Sequence, residues 1–332
     1  MVLGGSANNI SCTGNLYSDE IYLVSFLPIT NGTALDLTDN GWERAYPDYF
    51  GTTEGVYRFI RNGGTIPAGT VFKFRLRAQV SQIQQSDNPG WSFSSLNGNN
   101  NTFDFSTSGD QLFLLQGGNW STTGIQHQGS YAGGKLLFAY NSINSWAANN
   151  GSTGPQRSNL PDELQCYHIT PNSGTNSFRH YSGPETPVSK AEWMVRIHNP
   201  ANWTNESFPT SEESCSAFNS NFTLSNITIK TNTDTETVCQ NEDTSELTLE
   251  YSPNVSYQWF SNTTASTTGG TLIPGETNNS FTPPSSSGGT TYYYCEITIN
   301  ISLDGSTCTP YKSNLYQVNI NPAPITSNIV QH

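Results

Sequence analysis

The chain has 332 residues, 34% of them hydrophobic and only 12% charged, with a formal net charge of −13. The acidic balance argues against nucleic acid and against an anionic membrane surface, because both are bound through clustered Lys and Arg. The low charged fraction, with abundant Asn, Thr, Ser and Gly, is unlike a cytosolic enzyme and fits an extracellular all-β protein rich in turns.

At this length two cores are the natural expectation. The opening residues, Met1-Val2-Leu3-Gly4-Gly5-Ser6, lack the basic and apolar regions of a signal peptide, so the chain reads as a mature form or a fragment. An apolar, β-branched run over residues 21–29 predicts a buried strand, ended by the turn signal Asn31-Gly32. Leu35 and Leu37 alternate with Asp36 and Thr38 as in a half-buried strand, stopped at Asp39-Asn40-Gly41-Trp42. Further strands are predicted over 56–60 and 71–76, around a Gly/Pro turn at 62–69. Residues 86–101 are polar and Gly/Asn-rich and read as a long surface loop. Strands are expected again at 103–105, 111–116 and 136–140, one helical turn at 160–164, and a last strand at 193–197.

Residues 207–222 show no apolar period and read as a domain boundary. Beyond them, strands are predicted near 227–229 and over 246–251, then through Trp259, over 292–301 and over 315–320. The domains expected are 1–210 and 225–324, joined by a linker at 211–224. The final stretch 325–332 reads as the start of a further repeat, as in a longer array.

The sequence contains no Gly-x-Ser-x-Gly elbow, His-Glu-x-x-His pair, phosphate loop or dinucleotide fingerprint, and its five His are scattered. A non-catalytic protein without a required cofactor is therefore expected. Asp39-Asn40-Gly41 reads as a turn whose side chains bond their own backbone. Together with Asp36, the same Asp39 and Asn40 oxygens form a candidate calcium set, since calcium takes carboxylate, amide and carbonyl oxygens. Trp42, Tyr46 and Tyr49 are candidate glycan contacts, because flat aromatic faces match the apolar faces of sugar rings; the alternative is that Trp42 packs as a lid on the core. Six cysteines without a Cys-x-x-Cys pair suggest disulfides in an oxidising compartment. No stretch is long and apolar enough to predict membrane insertion.

Two resemblances add to these readings. Tyr257-Gln258-Trp259-Phe260, then Gly269-Gly270-Thr271-Leu272-Ile273-Pro274-Gly275, then Tyr292-Tyr293-Tyr294-Cys295 place a Trp in a short strand and a Tyr two residues before a Cys. That pattern is the immunoglobulin-type β-sandwich. The stretch resembles the immunoglobulin-like repeats of large Bacteroidetes cell-surface proteins, among them gliding-motility adhesins exported by type IX secretion. The resemblance implies that Trp259 fills the core, that Tyr293 pins a corner, and that Cys295 has a partner on the second strand. Leu247 and Leu249 occupy that strand instead, so Cys239 to Cys295 is the first pairing expected and Cys239 to Cys308 its rival.

In the first half, Thr38-Asp39-Asn40-Gly41-Trp42, Ile66-Pro67-Ala68-Gly69-Thr70, Ser108-Gly109-Asp110-Gln111-Leu112-Phe113 and Asn199-Pro200-Ala201-Asn202-Trp203-Thr204 occur in that order. They resemble an N-terminal module of bacterial surface proteins of the lamin-tail class of β-sandwich. Together the resemblances imply the N-terminal part of a secreted cell-surface adhesin or filament. Its partners would be further repeats of the same chain and a surface polysaccharide or substratum. The alternative is a carbohydrate-binding accessory module of a larger extracellular hydrolase.

Overall fold

The computed structural model describes residues 1–6, 18–44, 49–77, 79–98, 102–106, 109–123, 127–142, 146–147, 158–171, 178–206 and 226–323. Tyr46, Cys12, Cys215, the expected linker 211–224 and the stretch 325–332 lie outside them. The fold is all-β, with one α-helix among the described residues. It divides into two compact units: Met1–Thr186 with Ile197–Thr228 and Ile301–Ser306, and Pro187–Arg196 with Ile229–Asn300 and Thr307–His332.

The first unit holds a five-stranded antiparallel sheet in the order Trp203–Glu206, Phe178–Tyr181, Val2–Ser6, Ser18–Val24, Val71–Arg77. A six-stranded sheet runs His168–Ile169, Lys135–Asn141, Gln111–Gln116, Ala34–Thr38, Val56–Arg61, Trp91–Ser95. Strand alternation explains how one strand serves both core and surface. Along Val71–Arg77, Phe74 and Leu76 are fully buried, while Lys73 and Arg75 both reach Glu20 on the neighbouring strand, at 3.1 Å and 2.9 Å. Phe74 stacks on Phe59 of the six-stranded sheet at 4.0 Å, so aromatic rings carry the contact between the two sheets. A smaller four-stranded sheet, Asn119–Thr122, Gly129–Ala132, Tyr49–Phe50, Trp42–Glu43, borders the candidate site.

The second unit has a sheet ordered Asp234–Cys239, Tyr316–Asn321, Gly289–Ile299, Val255–Asn262, Thr271–Leu272. Leu247–Thr248 pairs separately with Ser280–Phe281. Trp259 lies opposite Cys295 and Tyr257 opposite Ile297 in the antiparallel register, and all four side chains enter the core. Trp259 is fully buried, packs 5.4 Å from Phe281, and donates its indole N–H to the Asn278 carbonyl at 2.9 Å. Tyr293 packs in the same core, 5.4 Å from Phe281. The tyrosine hydroxyl that reaches back to the main chain here is that of Tyr257, donating to the Glu250 carbonyl at 2.8 Å.

Several expectations are corrected. The strand predicted at 193–197 is part of the helix Lys190–His198. Its start is a capping box: Ser189 Oγ accepts from the Glu192 N–H at 3.3 Å, and Glu192 Oε2 accepts from the Ser189 N–H at 3.1 Å. Ala191 and Val195, one turn apart, then pack into the core of the second unit. The loop predicted over 86–101 contains the strand Trp91–Ser95, paired with Val56–Arg61. Trp91, stacked on Phe72 at 5.6 Å and nearly fully buried, supplies the apolar anchor that an otherwise polar stretch needed. Neither expected disulfide forms: Cys239 and Cys295 are free thiols. Cys239 sits exposed at the end of an edge strand opposite Asn321, whereas Cys295 points into the core, so the two do not share a face.

Candidate functional site: an aromatic-floored cleft in the first unit

The turn after Ala34–Thr38 brings Trp42–Glu43 against Tyr49–Phe50, and Gly129–Ala132 adds to the Phe50 side. Trp42 and Phe50 meet edge-to-face at 4.9 Å, and Phe50 continues the contact to Phe113 at 5.3 Å and Trp120 at 5.5 Å. Over this floor opens a cleft of about 700 Å³, bounded by Arg44, Tyr131, Lys135, Asp162 and Glu163. That volume falls within the range of small-molecule sites.

Each wall has a cause. Trp42 is held by its backbone, which donates to Ser158 Oγ at 2.7 Å and accepts from the Asn159 N–H at 2.9 Å. Arg44 pairs with Asp162 and donates to the Leu160 carbonyl at 3.2 Å, tying the rim to the short 3-10 turn Asp162–Leu164. The Tyr131 hydroxyl donates to Asp36 Oδ2 at 2.5 Å and accepts from the Gly118 N–H at 2.8 Å. Burial and the Asp36 carboxylate push the Tyr131 phenol up to about 12, so it remains a neutral donor. Behind it, Arg58 grips Asp36 with two parallel bonds of 2.7 Å and 2.6 Å. Gly134 permits this packing, since a Cβ there would stand 2.3 Å from the Tyr131 ring.

The candidates named from the sequence are only partly brought together. Trp42 lines the cleft but is 8% exposed, so its indole serves mainly as buried floor. Tyr49 is half-buried on its strand and is not among the cleft-lining residues, and Tyr46 lies outside the described residues. Tyr131, Lys135, Asp162 and Glu163 were missed because they enter from strands and turns far along the chain.

The calcium set of Asp36, Asp39 and Asn40 does not assemble. Asp36 is consumed by Arg58 and Tyr131. Asn40 is also fully engaged: its Nδ2 donates to Thr38 Oγ1 at 2.9 Å and to the Glu54 carbonyl at 2.8 Å, and its Oδ1 accepts from the Glu54 N–H at 3.0 Å. Asp39 faces a different neighbourhood, with Oδ2 accepting from the Asp104 N–H at 2.9 Å. Among the described residues no three acidic, His or Cys side chains stand as a ready-made metal cage.

Comparison with protein-family models and with curated protein sequences gives no match.

Proposed function

We propose that the first unit is the ligand-binding module of a non-catalytic, secreted bacterial cell-surface adhesin, and that its cleft takes a surface saccharide. The immunoglobulin-like second unit serves as a spacer in a longer array. The observation that carries this reading is the cleft itself. An aromatic floor of Trp42 and Phe50 lies under a rim that offers both donors and acceptors, Arg44 and Lys135 beside Asp162 and Glu163. A sugar presents the same pairing of apolar faces and hydroxyl edges. The extracellular composition and the resemblance to bacterial surface modules support the setting.

The test is retention of the full-length chain on immobilised polysaccharides, followed by hydrogen-exchange footprinting with the retained glycan. Protection confined to 42–44, 129–136 and 160–164 is the expected result. Protection that maps only to the 229–300 sheet would overturn the assignment of roles.

A further inference from the structure

The cleft of the first unit carries charges that the fold leaves unanswered. Arg44 is fixed by the fold itself. Its backbone N–H donates to Asn159 Oδ1 at 3.0 Å, and its guanidinium donates to the Leu160 carbonyl at 3.2 Å and pairs with Asp162. Both guanidinium contacts run through Nη2, while Nε is buried and has no hydrogen-bond partner. A buried donor without an acceptor is costly, more so on a charged group, and a ligand that brings the acceptor relieves the cost. Lys135 and Glu163 are both exposed on the cleft wall. Among the described residues neither side chain is engaged by an ion pair or a hydrogen bond, so the two do not pair with each other although they line the same cleft.

That pattern separates three classes of saccharide. A neutral sugar leaves every one of these charges as it was. A polyanion meets Lys135 and Arg44 but is repelled by Glu163 and by a chain of net charge −13. A sugar with one cationic and one anionic substituent answers both signs and brings no net charge to an acidic protein. Arg44 and Asp162 already cancel, and Lys135 and Glu163 sum to zero, so electrostatic complementarity asks for a ligand that is neutral but charge-separated.

We infer, resting on the saccharide reading of this cleft, that its ligand is a zwitterionic sugar: a carboxylate for the Lys135 ammonium and the Arg44 Nε–H, and an ammonium group for Glu163. A carboxylate on Arg44 Nε forms a charge-assisted hydrogen bond, the stronger kind. The two poles also fix the direction of the ligand over the Trp42 and Phe50 floor, since reversal sets ammonium against Lys135 and carboxylate against Glu163.

The experiment uses the full chain and four sugars on one pyranose ring: glucose, glucosamine, glucuronic acid and 2-amino-2-deoxyglucuronic acid. These carry no charge, a positive charge, a negative charge and one of each at about pH 6, where amine and carboxyl are both ionised. In calorimetric titrations the doubly charged ring should bind tightest, each matched charge adding about threefold in affinity, and high salt should remove the gain. Lys135→Met should reduce the gain from the carboxylate and leave that from the amine; Glu163→Gln should do the reverse. Both residues are exposed, so unchanged melting temperatures provide the control. Glucose binding as tightly as the doubly charged ring would overturn the inference and leave the saccharide reading standing. Glucuronic acid binding tightest, and tighter still to Glu163→Gln, would overturn it in favour of a polyanion. No binding of any of the four at about 10 mM, well into the millimolar range of weak sites, would also overturn it, and retention of the chain on immobilised polysaccharides then shows separately whether the saccharide reading falls too.

Discussion

Replacing Trp259 by Ala perturbs the second unit at a fully buried large side chain. The indole has no exposed surface, lies between Phe281 at 5.4 Å and Tyr316 at 6.2 Å, and faces Cys295 across the strand pair. Truncation removes its transfer free energy and leaves a cavity, a combined loss of about 3–5 kcal/mol. The Asn278 carbonyl loses its 2.9 Å bond as well but is only partly buried, so water replaces the donor and the added loss is about 1 kcal/mol or less. For a domain of about 100 residues, each kcal/mol moves the midpoint by about 4–8 °C, so a fall of about 12–40 °C is expected. Differential scanning calorimetry of the full chain should show the second unit's transition move while the first unit's stays in place. Trp259→Phe, which keeps an aromatic ring in the cavity, should fall less. Unchanged melting in Trp259→Ala would refute the argument that this side chain organises the core.

Arg58→Met leaves the fully buried Asp36 carboxylate without its cation and should cost about 3–5 kcal/mol. The double variant Asp36→Leu/Arg58→Met should recover much of that loss in the same denaturant titration. Ser189→Ala removes the helix cap and should destabilise the second unit by about 1 kcal/mol. Burial pushes His168 down to about 4, so the fold holds the neutral ring. Its contribution is present above the unfolded value of about 6.5 and is lost as pH falls toward the folded value. His168→Gln should therefore show a shallower fall in melting temperature between pH 6.5 and 4.5 than the unsubstituted chain.

The strands were legible where one face is apolar and turns bracket the run. Leu35 and Leu37 between Asp36 and Thr38, and Phe72, Phe74 and Leu76 between cations, declare period two on their own. The turn signals were equally readable: Gly32 and Gly69 both adopt positive φ, which glycine tolerates. The helix Lys190–His198 was misread because Trp193, Val195 and Ile197 alternate like a strand. The signal that resolves it, Ser189 followed three residues later by Glu192, stands in the sequence. Trp91–Ser95 was hidden by its serines, and its two aromatics were the only clue.

The sites were far less legible, because their geometry is non-local. Asp36 and Asp39 are three residues apart, yet one is paired with Arg58 while the other joins Asp19 and Asp110 in the interior, all three accepting from the 104–106 backbone. Local spacing suggested a shared ligand set; pairing across strands separates it. Tyr131 and Asp162 reach the cleft from positions that no motif connects to Trp42.

Retention of the full chain on surface polysaccharide, compared with the variants Ala132→Trp and Lys135→Ala, tests the central claim most directly. Ala132 and Lys135 are exposed on the cleft wall, so neither change should disturb the core, and unchanged melting temperatures provide the control. The account predicts that the indole filling the cleft abolishes retention and that loss of the Lys135 ammonium weakens it. Full retention by a folded Ala132→Trp protein would contradict the account and place the binding surface elsewhere.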